Sequence, residues 1–472
     1  MSRRANPTRV RQAERPERVV FGVGIAGMLL LTAGYFSTTH VARRVTPLRP
    51  QASIQPLKVG VLSARRAPTN LSMVSRIGAL DRALANFSPR VPSQSCIQVD
   101  WLGRTILNVN GNQSVTPAST TKIITASVAL SVLGPTFTYQ TKVKSSAPPV
   151  GGVVDNLFVI GGGDPLLSRN EYIATEKYQT IHASSLESLA DKIVASGVRQ
   201  VNGSIIVDDS RYDDVRFVDV WPQEFRFTES GPLGALMVDD GVVLGLNAKP
   251  DDPAIAAAIE LRVLLGHRGV SVMSDPQRGS APQNATEVAT LQSAPLTDII
   301  SEMLTNSDNN TAELLLKEIG FAVKNSGSTA AGLQAVQETL AKWNLGGKVV
   351  MNDGSGLSST NKTSCGVLAQ LLKRESKTMP ALMAVAGLSG TIREAFDPSP
   401  VKGRLVGKTG TLNGVKALVG YLPLVGEEPV VFSLVLNQTG IDNQSAYRPI
   451  WNALGEALNK ARATPKAEQL AP

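Results

Sequence analysis

Pro117-Ala118-Ser119-Thr120-Thr121-Lys122-Ile123-Ile124 is the stretch on which the reading of this chain turns. Proline and a hydroxyl cluster followed by an apolar run predict a helix from about Ser119 to Leu133. Residues three apart on a helix share a face, so the Ser119 hydroxyl and the Lys122 amine would lie side by side. A serine hydroxyl is a weak nucleophile and needs a base within reach. Lysine serves as that base only when neutral, a state that apolar burial favours. Taken alone, the same residues describe an ordinary helix start with a solvated lysine.

Two later motifs have the same double character. Ser307-Asp308-Asn309 falls between two helical patterns, Leu296–Leu304 and Ala312–Val323. It could present a hydroxyl and a carboxamide into a cleft, or simply cap a helix. Lys408-Thr409-Gly410-Thr411 opens a strand-like run. It is not a phosphate-binding loop, because Gly403 and Gly407 have three residues between them where that loop needs four, and a helix should follow. His40, His182 and His267 are scattered and build neither a zinc motif nor a Ser-His-Asp set. Gly387-Leu388-Ser389-Gly390-Thr391 misses the nucleophile elbow at its last residue.

The 472 residues are 42% apolar and 18% charged, a composition that buries a core. Net charge is +8, but nine Arg and two Glu fall within residues 1–50. The remaining 38 basic and 37 acidic residues nearly cancel, which removes the main support for nucleic-acid binding. Arg3, Arg4, Arg9, Arg11, Arg15 and Arg18 precede the uncharged run Val19 to Phe36, and no charge follows until Arg43. Such a run can cross a bilayer with its basic flank in the cytoplasm. A cleaved signal peptide competes with this reading, but no clean cleavage pattern follows. The expectation is a cytoplasmic basic segment (1–18), a transmembrane anchor or signal segment (19–36) and a Pro/Arg-rich tether (37–68).

The body divides by texture. Helical spacing from Asn70 to Phe87 leads into strands Cys96–Trp101 and Ile106–Val109. Short strand-like runs then alternate with Gly, Pro and Asp between about 140 and 290. Helices and strands resume after that, with strands at Ala417–Tyr421 and Val430–Leu436 and a helix from about Tyr447 to Ala461. The expected fold is α/β (α+β): an antiparallel sheet flanked by helices, residues 69–140 and 290–461, with an inserted β-rich domain at 141–289. Residues 462–472 read as a flexible tail. Cys96 and Cys365 are the only cysteines, and an even pair on an exported chain suggests a disulfide. Two buried free thiols are the alternative.

Together, Ser-x-x-Lys, Ser-x-Asn and Lys-Thr-Gly, in this order, resemble the signature of penicillin-binding proteins and serine β-lactamases. Over roughly Ala83 to Ala461 the chain further resembles the D-alanyl-D-alanine carboxypeptidase/endopeptidase family, the low-molecular-mass class C penicillin-binding proteins of peptidase family S13. That resemblance includes Gly161-Gly162-Gly163-Asp164-Pro165, Val207-Asp208-Asp209-Ser210, Asn310 with Ala312-Glu313, and Asp353-Gly354-Ser355-Gly356-Leu357. The gap of 185 positions from Lys122 to Ser307 fits the family's insertion.

The resemblance implies a transpeptidase-like fold and a serine-type D-Ala-D-Ala carboxypeptidase of the cell envelope, with endopeptidase action as a further expectation. Ser119 would be acylated by peptidoglycan stem peptides or by β-lactams, with Lys122 as base and Ser307 and Lys408 passing a proton to the leaving amine. Asn309, Lys408, Thr409, Gly410 and Thr411 would bind substrate, and the N–H groups of Ser119 and Thr411 would form an oxyanion hole, worth ~3 kcal/mol per donor. No metal or organic cofactor is implied. The competing readings are a serine β-lactamase and a cell-wall-binding protein with a decayed site.

Overall fold

The strands near the C-terminus carry apolar side chains on both faces, so each must be covered twice. Ala417, Val419 and Tyr421 enter one core while Leu418 and Leu422 enter another, the period-2 alternation of a strand. In the computed structural model, which describes residues 67–245, 249–462 and 466–470, these strands are the centre of a six-stranded antiparallel sheet. Its order is Ala384–Val385, Val406–Leu412, Val415–Leu424, Glu427–Asn437, Cys96–Trp101, Arg104–Val109. Thr69–Gln469 make one compact unit.

Helices Lys122–Val132, Leu296–Asn306, Asn309–Lys324 and Cys365–Arg374 cover one face, burying Ile123, Ile300, Leu315 and Leu368. Helices Pro68–Phe87 and Gln444–Leu458 cover the other. Leu80, Leu84, Trp451 and Leu454 lie on their inner stripes, at the i, i+3, i+4 spacing that amphipathic helices use. Full burial of one such side chain is worth about 1.5–3 kcal/mol. Cys96 and Cys365 are joined as a disulfide across 269 positions. The bond ties an inner strand to the first residue of a covering helix.

The segment expected as β-rich at 141–289 is instead mixed. A five-stranded sheet runs Gln277–Arg278, Ile205–Asp208, Leu157–Ile160, Gln140–Ser145, Thr286–Gln292, partly parallel. Helices Leu186–Ala195 and Pro253–Gly266 pack with it. Both helices start on recognisable signals: Ser185 accepts a bond from the N–H of Ser188, and Asp252, followed by Pro253, accepts from Ala254 and Ile255. Residues 467–470, expected as part of a flexible tail, form one helical turn. The anchor or signal run 19–36 lies outside the described residues, as does the tether apart from its end. Among the described residues no helix is long and apolar enough to cross a membrane.

Part of the interrupting segment turns back onto the main body. Trp221, Leu233 and Met237 pack against Leu314 and Leu357. Arg211 and Tyr212 both bond the buried Glu318 carboxylate, and Lys317 pairs with Asp213. Trp221 Nε1 donates to Asp353 Oδ2 at 3.0 Å. This return arm, about residues 209–241, therefore belongs to the packing of helix Asn309–Lys324.

Trp221→Phe keeps most of the apolar volume and removes the donor. Asp353 Oδ2 retains the Ser358 N–H, so the expected loss is that of one hydrogen bond to a carboxylate, about 1.5–3 kcal/mol. Urea unfolding measures it, and an unchanged midpoint would show that the arm does not lean on this bond.

Candidate active site

Ser119 does not sit in the α-helix expected for it. A 3-10 turn, Ala118–Thr121, precedes the α-helix Lys122–Val132. The Thr120 and Thr121 hydroxyls donate to the carbonyls of Pro117 and Ala118, which hold the tighter turn. Ala118 has φ 49°, a left-handed conformation that turns the chain sharply before the serine. Ser119 is half-buried at the surface of this turn, and Lys122 is completely buried beneath it.

Three contacts define the Lys122 amine. Nζ lies 2.7 Å from Asn309 Oδ1, 2.7 Å from the Ser355 carbonyl and 3.2 Å from Ser119 Oγ. The first two partners can only accept. A neutral amine has two hydrogens and one lone pair, so the carbonyl oxygens hold the hydrogens and the lone pair is left to face Ser119 Oγ. Burial, opposed chiefly by Glu313, lowers the Lys122 pKa to about 8. About a tenth of the molecules then carry the neutral amine at pH 7.

Ser307 ends helix Leu296–Asn306 in the left-handed region, at φ 68°. Asp308 then caps helix Asn309–Lys324 by accepting the Thr311 N–H at 3.1 Å. The chain thus reverses within one residue and presents Ser307 and Asn309 to the same cleft. Asn309 uses both ends of its carboxamide: Oδ1 accepts from Lys122, and Nδ2 donates to the Glu229 carbonyl of the return arm at 2.8 Å. Asn310 anchors that arm from the other side, accepting from Ser230 Oγ and Gly231 N.

Lys408 is fully buried on strand Val406–Leu412. Its Nζ donates to Ser307 Oγ at 2.7 Å and to the Thr409 carbonyl at 2.8 Å. Burial first, and then the cations of Lys122 and Lys416, hold its pKa well below the usual lysine range. Thr409 Oγ1 contacts Thr391 Oγ1 at 2.8 Å. Thr411 is exposed and accepts from Lys416. Gly410 has a steric reason: a Cβ there would lie 2.7 Å from the Pro117 carbonyl and 3.2 Å from Ser119 N. Only a residue without a side chain lets this strand close onto the Ser119 turn.

The three motifs therefore meet as two lysine–serine pairs, Lys122 with Ser119 and Lys408 with Ser307. Beside Ser307 and Asn309 opens a cavity of about 530 Å³ lined also by Tyr172, Tyr178, Glu229 and Asp240. Ser389 is not part of the site; its Oγ accepts the Val385 N–H. Among the described residues no group of three or more His, Cys, Asp or Glu side chains could hold a metal ion. The sequence reading assigned no role to Glu313, Asp353 or Ser355, although their motifs were visible, and had no signal for Trp221 or Glu229.

The fold resembles penicillin binding protein 4 (dacB) of Haemophilus influenzae, with TM-score 0.65, 22% identity, and coverage of 79% of this chain and 98% of that one. In sequence, the D-alanyl-D-alanine carboxypeptidase of Actinomadura sp. is 30% identical over 421 residues, 71% of this chain and 76% of the relative. Carboxypeptidase DacB of Mycolicibacterium smegmatis is 28% identical over 93% of this chain and 96% of its own length. With a family model matched at residues 78–250 and 244–456, the chain belongs to the D-Ala-D-Ala carboxypeptidase 3 (S13) family.

Proposed function

We propose that this protein is a serine-type D-Ala-D-Ala carboxypeptidase that acts on peptidoglycan stem peptides through an acyl-enzyme at Ser119, and that β-lactams acylate the same residue. The observation that carries the proposal is the pair of lysine–serine contacts, 3.2 Å for Lys122 with Ser119 and 2.7 Å for Lys408 with Ser307. Endopeptidase action would use the same acyl chemistry. The enzyme works at the envelope, on the outer side of a membrane in which residues 19–36 anchor it.

Ser119 Oγ attacks the carbonyl of the terminal D-Ala-D-Ala bond as its proton passes to the Lys122 lone pair. The negative charge that develops on the carbonyl oxygen is met by the N–H groups of Ser119 and Thr411. Collapse breaks the C–N bond, and the leaving amine takes up the proton that Lys122 accepted, relayed through Ser307, which Lys408 touches; Lys122 is thereby a free base again. Water then hydrolyses the ester: Lys122 accepts the water's proton and returns it to the Ser119 oxygen as the acid leaves. Asn309 orients the peptide, and the cavity beside it, within the usual volume range of a ligand site, receives the rest of the stem.

Lys408 and Thr409 read the free carboxylate of the leaving residue. Lys408 offers two of its donor positions to protein partners, and the arriving carboxylate takes up the third. A hydrogen bond to a charged group is worth about 1.5–3 kcal/mol, so amidating the C-terminus should lower kcat/KM by roughly 10- to 150-fold. Lys408→Ala should lose most of that discrimination when diacetyl-Lys-D-Ala-D-Ala acid and amide are compared. Equal losses on both, with the ratio unchanged, would confine Lys408 to the proton relay.

The pH dependence of acylation follows from Lys122. Its pKa is lowered to about 8, and the neutral form reacts. Acylation by a fluorescent penicillin should therefore rise with pH and level off above about 8. A rate flat from pH 6 to pH 9 would exclude Lys122 as the proton acceptor.

A further inference from the structure

Glu313 is a completely buried carboxylate that the reaction sequence above does not use. It lies one helical turn after Asn309, on the same face of helix Asn309–Lys324. Its oxygens accept the N–H of Ser355 at 2.7 Å and of Gly354 at 3.0 Å. The carbonyl of that same Ser355 receives Lys122 Nζ, and the Gly354 carbonyl receives Thr125 Oγ1 at 2.8 Å. The loop is pressed so closely to the nucleophile turn that a Cβ on Gly356 would lie 2.0 Å from the Ala118 carbonyl. One helix thus supports the amine twice, directly through Asn309 and indirectly through Glu313 and the loop.

We infer that Glu313 is a positioning residue for acyl transfer: it fixes the Ser355 carbonyl against Lys122 and sets its own negative charge beside that amine. The inference rests on the reading of Lys122 as the base. The loop N–H groups call for acceptors, but hydrogen bonding alone does not require a full charge, so the charge has a second reason. Glu313 is the largest influence raising the Lys122 pKa against burial, while burial and the neighbouring Asp353 push the Glu313 pKa itself up to about 7.

The other charged groups around the pair are few. The loop contributes Asp353, the helix itself Lys317 and its capping Asp308, the return arm Glu229 and Asp213, and the motif strand Lys408. Asp353 is occupied by Gly356 N, Ser358 N, Asn361 Nδ2 and Trp221 Nε1, and Lys317 by Asp213 and the Val215 carbonyl. Of the carboxylates that act on Lys122, Glu313 has the largest effect, and its ionisation keeps the Lys122 proton available for return to the substrate. Its charge trades a smaller fraction of free base for a stronger one.

The test is the pH profile of acylation by a fluorescent penicillin in the full-length protein. Glu313→Gln should move the rising limb to lower pH by about half a unit or more, because the charge that holds the proton on Lys122 is gone. Its plateau rate should fall ~3- to 10-fold, because the amide meets one loop N–H with a donor of its own. Glu313→Asp keeps the charge and shortens the reach, so its limb should stay near the wild-type position while its plateau falls.

A plateau loss in Glu313→Gln with the limb unmoved or moved upward would overturn the inference, as would equal limb shifts in both variants. If Glu313→Gln gives no cooperative thermal transition, Glu313→Asp decides alone. A lowered plateau with an unmoved limb then supports the role, and a wild-type profile removes it. A wild type that takes no penicillin at all would instead overturn the reading of the site.

Discussion

Two carbonyl oxygens hold the hydrogens of one buried amine, and most of this structure exists to keep them there. Asn309 Oδ1 and the Ser355 carbonyl each stand 2.7 Å from Lys122 Nζ. They come from chain segments 46 positions apart in sequence, and neither is near Lys122 in sequence. An amine so placed has one direction left for its lone pair, towards Ser119. Burial does the other half of the work, because a lysine in water would stay charged and offer no lone pair. The cost of burying it is limited by the hydrogen bonds and by the carboxylates around it.

The layered body explains how such distant residues are brought together. The nucleophile helix and the Ser307–Asn309 turn sit on one face of the main sheet, and the motif strand runs near that sheet's edge. The missing side chain of Gly410 lets strand and turn touch. The interrupting segment is more than an appendage, since its return arm supplies the Glu229 carbonyl to Asn309 and the Trp221 donor to Asp353. Both arm contacts end on groups that hold the Lys122 amine or its supporting loop. Lys408 lies in the field of Lys122 and of Lys416, and both add to the burial that depresses its pKa.

The parts legible in the sequence were those decided by local spacing. Ser119 with Lys122, the Ser307–Asn309 turn and the Lys408 strand each declared their residue chemistry within a few positions, and their order pointed to the family. The strands Cys96–Trp101 and Val415–Leu424, the second expected only over Ala417–Tyr421, showed through their short runs of apolar residues. Helix Pro253–Gly266 was harder, because it is apolar nearly all round and gives little amphipathic contrast, although its Asp-Pro start was visible. The 3-10 turn at Ser119 depends on a left-handed Ala118, which no propensity for alanine suggests. Trp221, Glu229 and the role of Glu313 were out of reach, since each acts through a partner 41 to 132 positions away. Long-range hydrogen bonds leave no periodic mark on a sequence.

The central claim is that Ser119, set against the Lys122 lone pair, is the residue that becomes acylated. Mass spectrometry of a tryptic digest of penicillin-treated protein tests it most directly. The account predicts the added mass on the peptide that carries Ser119, and its absence when Ser119 is replaced by alanine. An adduct on the peptide carrying Ser307 or Ser389 would contradict it.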